Sequence, residues 1–152
     1  MIRLPRQTGR LPGFVIAGVL LAIPIVSATA QVPRPGAPLL AATRALVEGR
    51  FDQIEPLTST LDPGDPSVVA LKARAAIARG RYQEAEDMLR PAAQRAPTSD
   101  AALELGLLQD MLGRADAPAL LLRVAALGST TNDPLELARA ARALRALGRS
   151  RD

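Results

Sequence analysis

The sequence predicts an all-α fold in which about three and a half helical hairpins stack into a solenoid. Glycine recurs at a near-constant spacing of 31, 33 and 35 residues, each time followed by arginine, at Gly49, Gly80, Gly113 and Gly148. Between these glycines the apolar residues recur at helical spacing, and no segment alternates in the manner of a strand. A period of roughly 20–50 residues is typical of repeats that bury one continuous core by stacking.

The boundaries of the first helices follow from capping and breaking residues. The first helix is predicted over 39–49, where its glycine ends it, and Asp52 is predicted to cap the second helix. The turn DPGDP at 62–66 separates this hairpin from the next. Ser67 is predicted to cap the third helix, which ends at Gly80.

The next three helices follow the same scheme. The fourth helix opens at Tyr82 and ends before Pro97. Residues 98–100 are predicted to cap a fifth helix, which ends at Gly113. Asp116 is predicted to cap the sixth helix, which has a proline in its first turn, where the missing N–H costs little.

Pro91 conflicts with this scheme because it falls inside the fourth helix. An interior proline costs roughly 3 kcal/mol and kinks a helix. We therefore predict a bend at this point, near the outer surface.

The seventh helix is predicted over 135–148, after a loop at 128–134. One stripe of this helix is basic and consists of Arg139, Arg142, Arg145 and Arg149. The residues predicted to face the core are Leu137, Ala141, Leu144 and Leu147. We interpret the basic stripe as the polar outer face that a terminal solenoid helix needs for solubility, and an anion or membrane-surface patch is the alternative.

These residues resemble the tetratricopeptide repeat, whose period is about 34 residues. The resemblance covers 39–148 and is fullest in the middle repeat, which has the small residues, the Gly-x-Tyr turn, the large apolar residue and the closing proline of the family at Ala73, Gly80, Tyr82, Ala85, Leu89, Ala92 and Pro97. The third repeat carries a Leu-Gly pair and other matches at Leu105, Gly106, Gly113, Leu122 and Ala125. It departs from the pattern at Ala115, Pro118 and Thr130. An ordinary helical bundle rich in alanine and leucine is the alternative fold.

The resemblance implies a right-handed superhelix with a concave groove lined by the first helix of each hairpin. Leucine and tyrosine would fill the spaces between hairpins. Carried over residue by residue, the groove would hold Leu39, Thr43, Leu46, Ala70, Arg74, Ile77, Leu103, Leu107, Asp110, Arg142 and Arg145. Such an apolar strip with a few charges suits an extended or helical apolar peptide. Each of these residues is equally consistent with packing, and the family's asparagine and lysine clamp for a C-terminal carboxylate is missing.

Composition excludes several kinds of chemistry. The 152 residues include no Cys and no His, which rules out disulfides, Cys/His metal sites and His-based acid–base catalysis. The only aromatic residues are Phe14, Phe51 and Tyr82, too few for a stacking platform. The glycine-rich nucleotide-binding patterns do not occur. We predict no catalytic residue, no cofactor and no metal.

Three neighbouring acids, Glu84, Glu86 and Asp87, are the remaining candidates for chemistry. Paired carboxylates can act as acid and base. These acids lie near a helix N-terminus, where acids interact favourably with the helix dipole. We therefore interpret them as a solvated face.

The formal net charge of +4 does not indicate a nucleic-acid partner. Arg3, Arg6 and Arg10 lie at the N-terminus, and from residue 31 onward 16 Lys and Arg face 15 Asp and Glu, which leaves +1. A protein or peptide partner is therefore predicted, and no nucleic acid.

The N-terminus has the pattern of a secretory signal peptide. Its arginines are followed by an apolar stretch at 14–26 and by the cleavage-site pattern A-x-A at 28–30. We predict a signal peptide over 1–30, a linker over 31–38 and a repeat domain over 39–152, with the protein exported to the periplasm or secreted. An uncleaved membrane anchor is the alternative, because about 20 uncharged residues can span a bilayer.

Two functions are compatible with these features. One is an exported scaffold or adaptor that binds a protein or peptide and does no chemistry. The other is the N-terminal repeat segment of a larger exported enzyme, whose catalytic part would lie beyond residue 152.

Overall fold

The computed structural model describes residues 36–148, and this part of the chain contains seven α-helices and no strand. The all-α helical-repeat fold is therefore confirmed. The helices are α1 Ala37–Val47, α2 Ile54–Thr58, α3 Pro66–Ala78, α4 Tyr82–Arg95, α5 Asp100–Met111, α6 Ala117–Ala125 and α7 Pro134–Ala146. A 3-10 turn precedes α2 at Phe51–Gln53, and another follows α6 at Ala126–Ser129. The predicted signal peptide and most of the predicted linker lie outside the described residues.

The repeated Gly-Arg pair marks the same structural position each time, the end of the first helix of a hairpin. The four glycines have φ between 67° and 74°, a left-handed conformation that glycine adopts without steric cost. In the three complete hairpins the amide of the following arginine donates to the carbonyl five residues earlier, at 2.8–2.9 Å. This Schellman ending satisfies carbonyls that the helix leaves unpaired.

Two predicted caps in the first half are wrong. Asp52 lies in the 3-10 turn and forms an ion pair with Arg79, the residue that follows α3. Helix α3 is capped by Asp65, whose carboxylate accepts a hydrogen bond from the amide of Ser67 at 2.7 Å. The reason is that Pro66 occupies the first helical position, where its fixed φ is favourable and its missing N–H is not needed. The Ser67 hydroxyl is thereby free for a different contact.

Other boundaries and caps are closer to the prediction. Helix α1 begins at Ala37, two residues earlier than expected, because Pro38 is tolerated in the first turn. Ser99 caps α5 by accepting from the amide of Ala102, as predicted for 98–100. Asp116 precedes α6 but makes no side-chain cap. Helix α4 continues through Pro91, which is exposed.

The helices pack in two layers. The first helices of successive hairpins, α1, α3, α5 and α7, contact one another in order and form a continuous inner row. Each second helix, α2, α4 or α6, packs against the first helices on either side of it. This arrangement leaves one face of the inner row open, and it is the face that the resemblance assigned to a groove.

The core is rich in alanine, and close helix packing is its main feature. Ala42, Ala73, Ala85, Ala101 and Ala143 are all fully buried between helices. Gly106 allows the closest approach, because a Cβ built there would lie 2.8 Å from Cδ2 of Leu121 on α6. Small residues therefore set the spacing of the hairpins, and buried leucines fill what space remains.

The last two helices correct the predicted register. On α6 the buried residues are Ala117, Leu121 and Val124, whereas Leu122 is 44% exposed. Leu121 lies opposite Gly106, where its side chain packs into the space that the absent Cβ leaves.

On α7 the buried residues are Ala140 and Ala143, which lie on a different face of the helix from the residues predicted to face the core. Leu137 and Ala141 are exposed, and Leu144 and Leu147 are half-buried. The basic stripe is not a uniformly solvated outer face, because Arg139 and Arg142 turn towards acids of α5. Tyr82 is likewise largely exposed rather than packed between hairpins.

Within residues 36–148, no helix combines the length and the apolar character that crossing a membrane requires.

Leu89 is the residue of α4 on which we expect stability to depend most. It is fully buried in the main core cluster, which joins α3 to α7. Leu89→Ala should lower the free energy of unfolding by about 2–5 kcal/mol, because the truncated side chain leaves a cavity. Urea denaturation followed by circular dichroism measures this change.

The matched control is Leu40→Ala on α1, where the leucine is exposed. It should shift the denaturation midpoint by little. Equal midpoints for Leu89→Ala and the wild type would contradict the packing described here.

Candidate binding groove

The open face of the inner row carries a pocket of about 350 Å³ to which all four first helices contribute. Its lining residues are Leu39 and Thr43 of α1, Ser67, Ala70, Leu71 and Arg74 of α3, Asp100 and Glu104 of α5, and Leu135, Ala138, Arg139 and Arg142 of α7. A second pocket of about 290 Å³ is lined by Leu107, Arg142, Arg145 and Ala146. The two pockets share Arg142, and together we call them the groove.

Several residues predicted for the groove line it. The first pocket includes Leu39, Thr43, Ala70, Arg74 and Arg142. The second pocket includes Leu107, Arg142 and Arg145.

Four other predicted residues do not line either pocket. Leu103 is a clear correction, because its exposure is 0% and it packs in the main core cluster. Leu46 belongs to the core of the first hairpin, and Ile77 is half-buried against the main cluster. Asp110 is exposed in the last turn of α5. The central helix is therefore buried more deeply than the resemblance implied.

The first charged cluster of the groove is centred on Asp100, at the start of α5. The Arg139 guanidinium donates to both carboxylate oxygens, Nε to Oδ1 at 2.9 Å and Nη2 to Oδ2 at 3.2 Å. Its Nη1 donates to the carbonyl of Thr98 at 3.2 Å. The Ser67 hydroxyl donates to Oδ2 at 3.1 Å. Side chains from α3, α5 and α7 thus meet at one carboxylate, which ties the second and third hairpins to the last helix.

The charge of Asp100 is stabilised at this position. Burial alone would raise the pKa of the carboxyl group, but the hydrogen bonds and positive charge of Arg139, together with the Ser67 hydroxyl, outweigh that effect. The net result is a pKa below the ordinary value. Two-point pairing of a guanidinium with a carboxylate is the geometry that gives strong, directional hydrogen bonds.

The second charged cluster is centred on Glu104, one turn further along α5. Its side chain is only 8% exposed. Nη2 of Arg142 donates to Oε1 at 2.8 Å, and Nε of Arg74 lies 3.8 Å from the same oxygen. Two arginines, from α7 and α3, therefore share one buried carboxylate.

Sequence reasoning missed four polar residues of the groove, namely Ser67, Asp100, Glu104 and Arg139. The spacing contained a usable signal. Asp100 and Arg139 are 39 residues apart and Glu104 and Arg142 are 38 apart, so each arginine lies about one turn beyond the position equivalent to its acid in the adjacent first helix. Opposite charges at such positions face each other when first helices pack side by side.

The acids of α4 lie on a second helix and do not line the groove. Glu84 pairs with Arg81 at 2.9 Å, and Asp87 accepts from the Gln83 amide at 2.9 Å, so both lie on a solvated face as predicted. Glu86 is a correction, because it is buried and pairs with Arg90. It also accepts from the Gln109 amide at 3.4 Å.

The fold and the groove define a helical-repeat protein built from stacked hairpins, with a polar and apolar surface along its inner row of helices. Comparison with protein families places residues 45–109 in a known family, since they match the model described as tetratricopeptide repeat. Repeats of this family generally mediate interactions between proteins. Comparison with curated proteins gives no match, and neither does comparison with solved structures.

The Asp100 cluster generates a prediction about pH. The pKa of Asp100 is lower in the folded protein than in the unfolded chain, so the ionised carboxylate stabilises the fold. This stabilisation is fully present above the ordinary carboxyl pKa, and it is lost as the pH falls through the pKa of the folded state. Asp100→Asn should therefore destabilise the protein by about 1–2 kcal/mol at pH 7, after discounting for partial exposure. The difference from wild type should shrink as the pH falls below about 4.

Urea midpoints measured at pH 7 and pH 3 test this expectation. Asp110→Asn on the same helix is the control, because Asp110 is exposed and forms no ion pair with any other residue of the described range 36–148. A loss of stability that is equal at both pH values would show that Asp100 acts through packing and not through its charge.

Proposed function

We propose that this protein is an exported scaffold that binds a protein or peptide partner in the groove and does no chemistry of its own. The observation that carries the proposal is the participation of all four first helices in one pocket. A surface assembled from every repeat suits a ligand that runs along the inner row rather than a small molecule held at one end. The general role of the family in protein interactions supports the same assignment.

The chemistry of the groove supports a peptide as ligand. Leu39 and Leu135 supply apolar surface, and Thr43 and Ser67 supply hydroxyl groups. The leucines can pack against apolar side chains of a bound segment, each contributing on the order of 1.5–3 kcal/mol when fully buried. Polar groups interspersed with apolar ones fix the position of such a segment.

Blocking the groove should abolish partner capture. Ala138 is exposed on α7 and lines the first pocket, so Ala138→Trp places a large ring in the space that a ligand needs. We expect at least a tenfold loss of captured partner, which corresponds to about 1.4 kcal/mol or more. The measurement is affinity purification of the tagged protein from its own cells, with quantitative mass spectrometry of what co-purifies.

The chain offers a matched control for this experiment. Ala141 is also an exposed alanine of α7, but it does not line either pocket. Ala141→Trp should leave capture unchanged. The pair Glu84→Gln and Asp87→Asn, on a second helix, should also have no effect. Loss of capture with Ala141→Trp or with the acid variants, and none with Ala138→Trp, would place the binding surface elsewhere.

The proposed export rests on the sequence pattern of residues 1–30. Signal peptidase should cut after the small residues Ala28 and Ala30, so the mature chain should begin at Gln31. N-terminal sequencing of the protein recovered from the cell envelope and the medium measures this directly. Protein that keeps the Met1 or Ile2 terminus and sediments with membranes would instead indicate an uncleaved anchor.

A further inference from the structure

The groove carries more positive than negative charge. Of the side chains that line its two pockets, Arg74, Arg139, Arg142 and Arg145 are basic, and Asp100 and Glu104 are acidic. Arg139 is matched by Asp100 in a two-point pair. The remaining three arginines have a single carboxylate, that of Glu104, between them.

The guanidinium groups of Arg74 and Arg142 converge from opposite sides of α5. Nε of Arg74 lies 3.8 Å and Nη2 of Arg142 lies 2.8 Å from the same oxygen, Oε1 of Glu104. The two guanidinium groups are therefore close to each other. Arg142 hydrogen-bonds to Glu104, whereas the Arg74 side chain makes no hydrogen bond within residues 36–148. Their side chains are 41% and 39% exposed, so unused N–H donors remain accessible from the groove.

Arg145 extends the same charge towards the second pocket. It is exposed, and within residues 36–148 it forms neither an ion pair nor a side-chain hydrogen bond. Because Arg142 lines both pockets, it lies where they meet, and each pocket also has apolar lining. Leu39, Leu71 and Leu135 lie in the first pocket, and Leu107 and Ala146 lie in the second.

We propose that the partner presents an extended segment with an internal aspartate or glutamate flanked by apolar residues, and that Arg74, Arg142 and Arg145 bind this carboxylate. The inference rests on the proposed function of the groove and specifies its ligand. A carboxylate accepts charge-assisted hydrogen bonds from more than one guanidinium and supplies the negative charge that Glu104 alone does not. The position of Arg142 between the two pockets favours a side-chain carboxylate over one at a chain end, because apolar side chains line both pockets.

A peptide library tests the inference without knowledge of the partner. Nonapeptides are displayed on phage with their carboxyl ends joined to the coat protein, so that side chains supply the only library carboxylates. They are selected on the protein purified from expressing cells in the form in which it accumulates there. Enriched peptides should carry Asp or Glu at one interior position, between apolar residues.

Synthetic forms of the enriched peptides, acetylated and amidated, are then measured by fluorescence anisotropy. Replacing the peptide's acid by its amide should weaken binding about tenfold, and affinity should fall as salt is raised from about 0.05 to 0.5 M. Arg74→Gln and Arg145→Gln should each weaken binding about 3- to 10-fold. These two positions are preferred to Arg142 because their replacement breaks no hydrogen bond to the buried Glu104.

Arg123→Gln is the control, since Arg123 is exposed on α6 and does not line either pocket. It should bind like the wild type.

The inference is overturned if no peptide is enriched, if enriched peptides lack an acid, if the arginine variants bind normally, or if peptides whose only carboxylate is a free C-terminus bind more tightly. If peptides without an acid bind the wild type and do not bind Ala138→Trp, this inference is overturned and the proposed function stands. Peptides unaffected by Ala138→Trp would overturn both.

Discussion

The structure depends on the burial of one central helix, α5. Every residue from Ala101 to Gly106 is buried, and the helix contacts α3, α4, α6 and α7. Four neighbours can surround one helix only if the backbones approach closely, which the alanines and Gly106 permit. The hairpins on either side are positioned by this helix, and so is the open face of the inner row. The groove is a consequence of how α5 is enclosed.

Burial on nearly all sides requires the polar side chains of α5 to find partners within the protein. Asp100 and Glu104 meet arginines from α7, and the Gln109 amide donates to Glu86 of α4. An unpaired buried charge costs several kcal/mol, so each pair disfavours any shift of α5 along its neighbours. The Gln109 side-chain oxygen remains buried without a hydrogen-bond partner among the described residues. The polar contacts therefore fix the relative register of the helices, while the apolar contacts supply most of the stability.

The sequence was sufficient for the repeat and for most helices, because those features are local. A glycine with positive φ followed by a Schellman hydrogen bond is specified by a few adjacent residues, and it recurs at the same point of each first helix. The register of α6 could not be predicted in the same way. Leu121 and Leu122 have the same chemistry, but Leu121 is the one that packs against Gly106 of another helix and is buried.

The sequence predicted that the candidate site lies on the first helices, but it did not predict the acidic residues that the site contains. The family pattern assigns the groove to the first helices, and seven of the eleven residues it implies line one of the two pockets. Leu39, Arg74 and Arg142 are among those that line the first pocket. Helix α5 gave no periodic signal, because a helix buried all round has no distinct apolar face. Leu103 was consequently placed at the surface, and Asp100 and Glu104 were not assigned a role. Arg139 and Arg142 resembled a solvated stripe because their acidic partners are almost forty residues away in the sequence.

The same pairs that hold α5 in register also prepare the groove for a ligand. An arginine side chain free in solvent loses considerable conformational freedom when a ligand immobilises it. Arg142 is already held by Glu104, and Arg139 by Asp100 and Thr98, so ordering them again costs less on binding. The buried carboxylates thus act on recognition in two opposed ways. They orient the guanidinium groups, and they also neutralise part of the charge offered to the partner. Because Arg74 and Arg142 share Glu104 and Arg145 also lines the groove, orientation is gained while a net positive charge remains there.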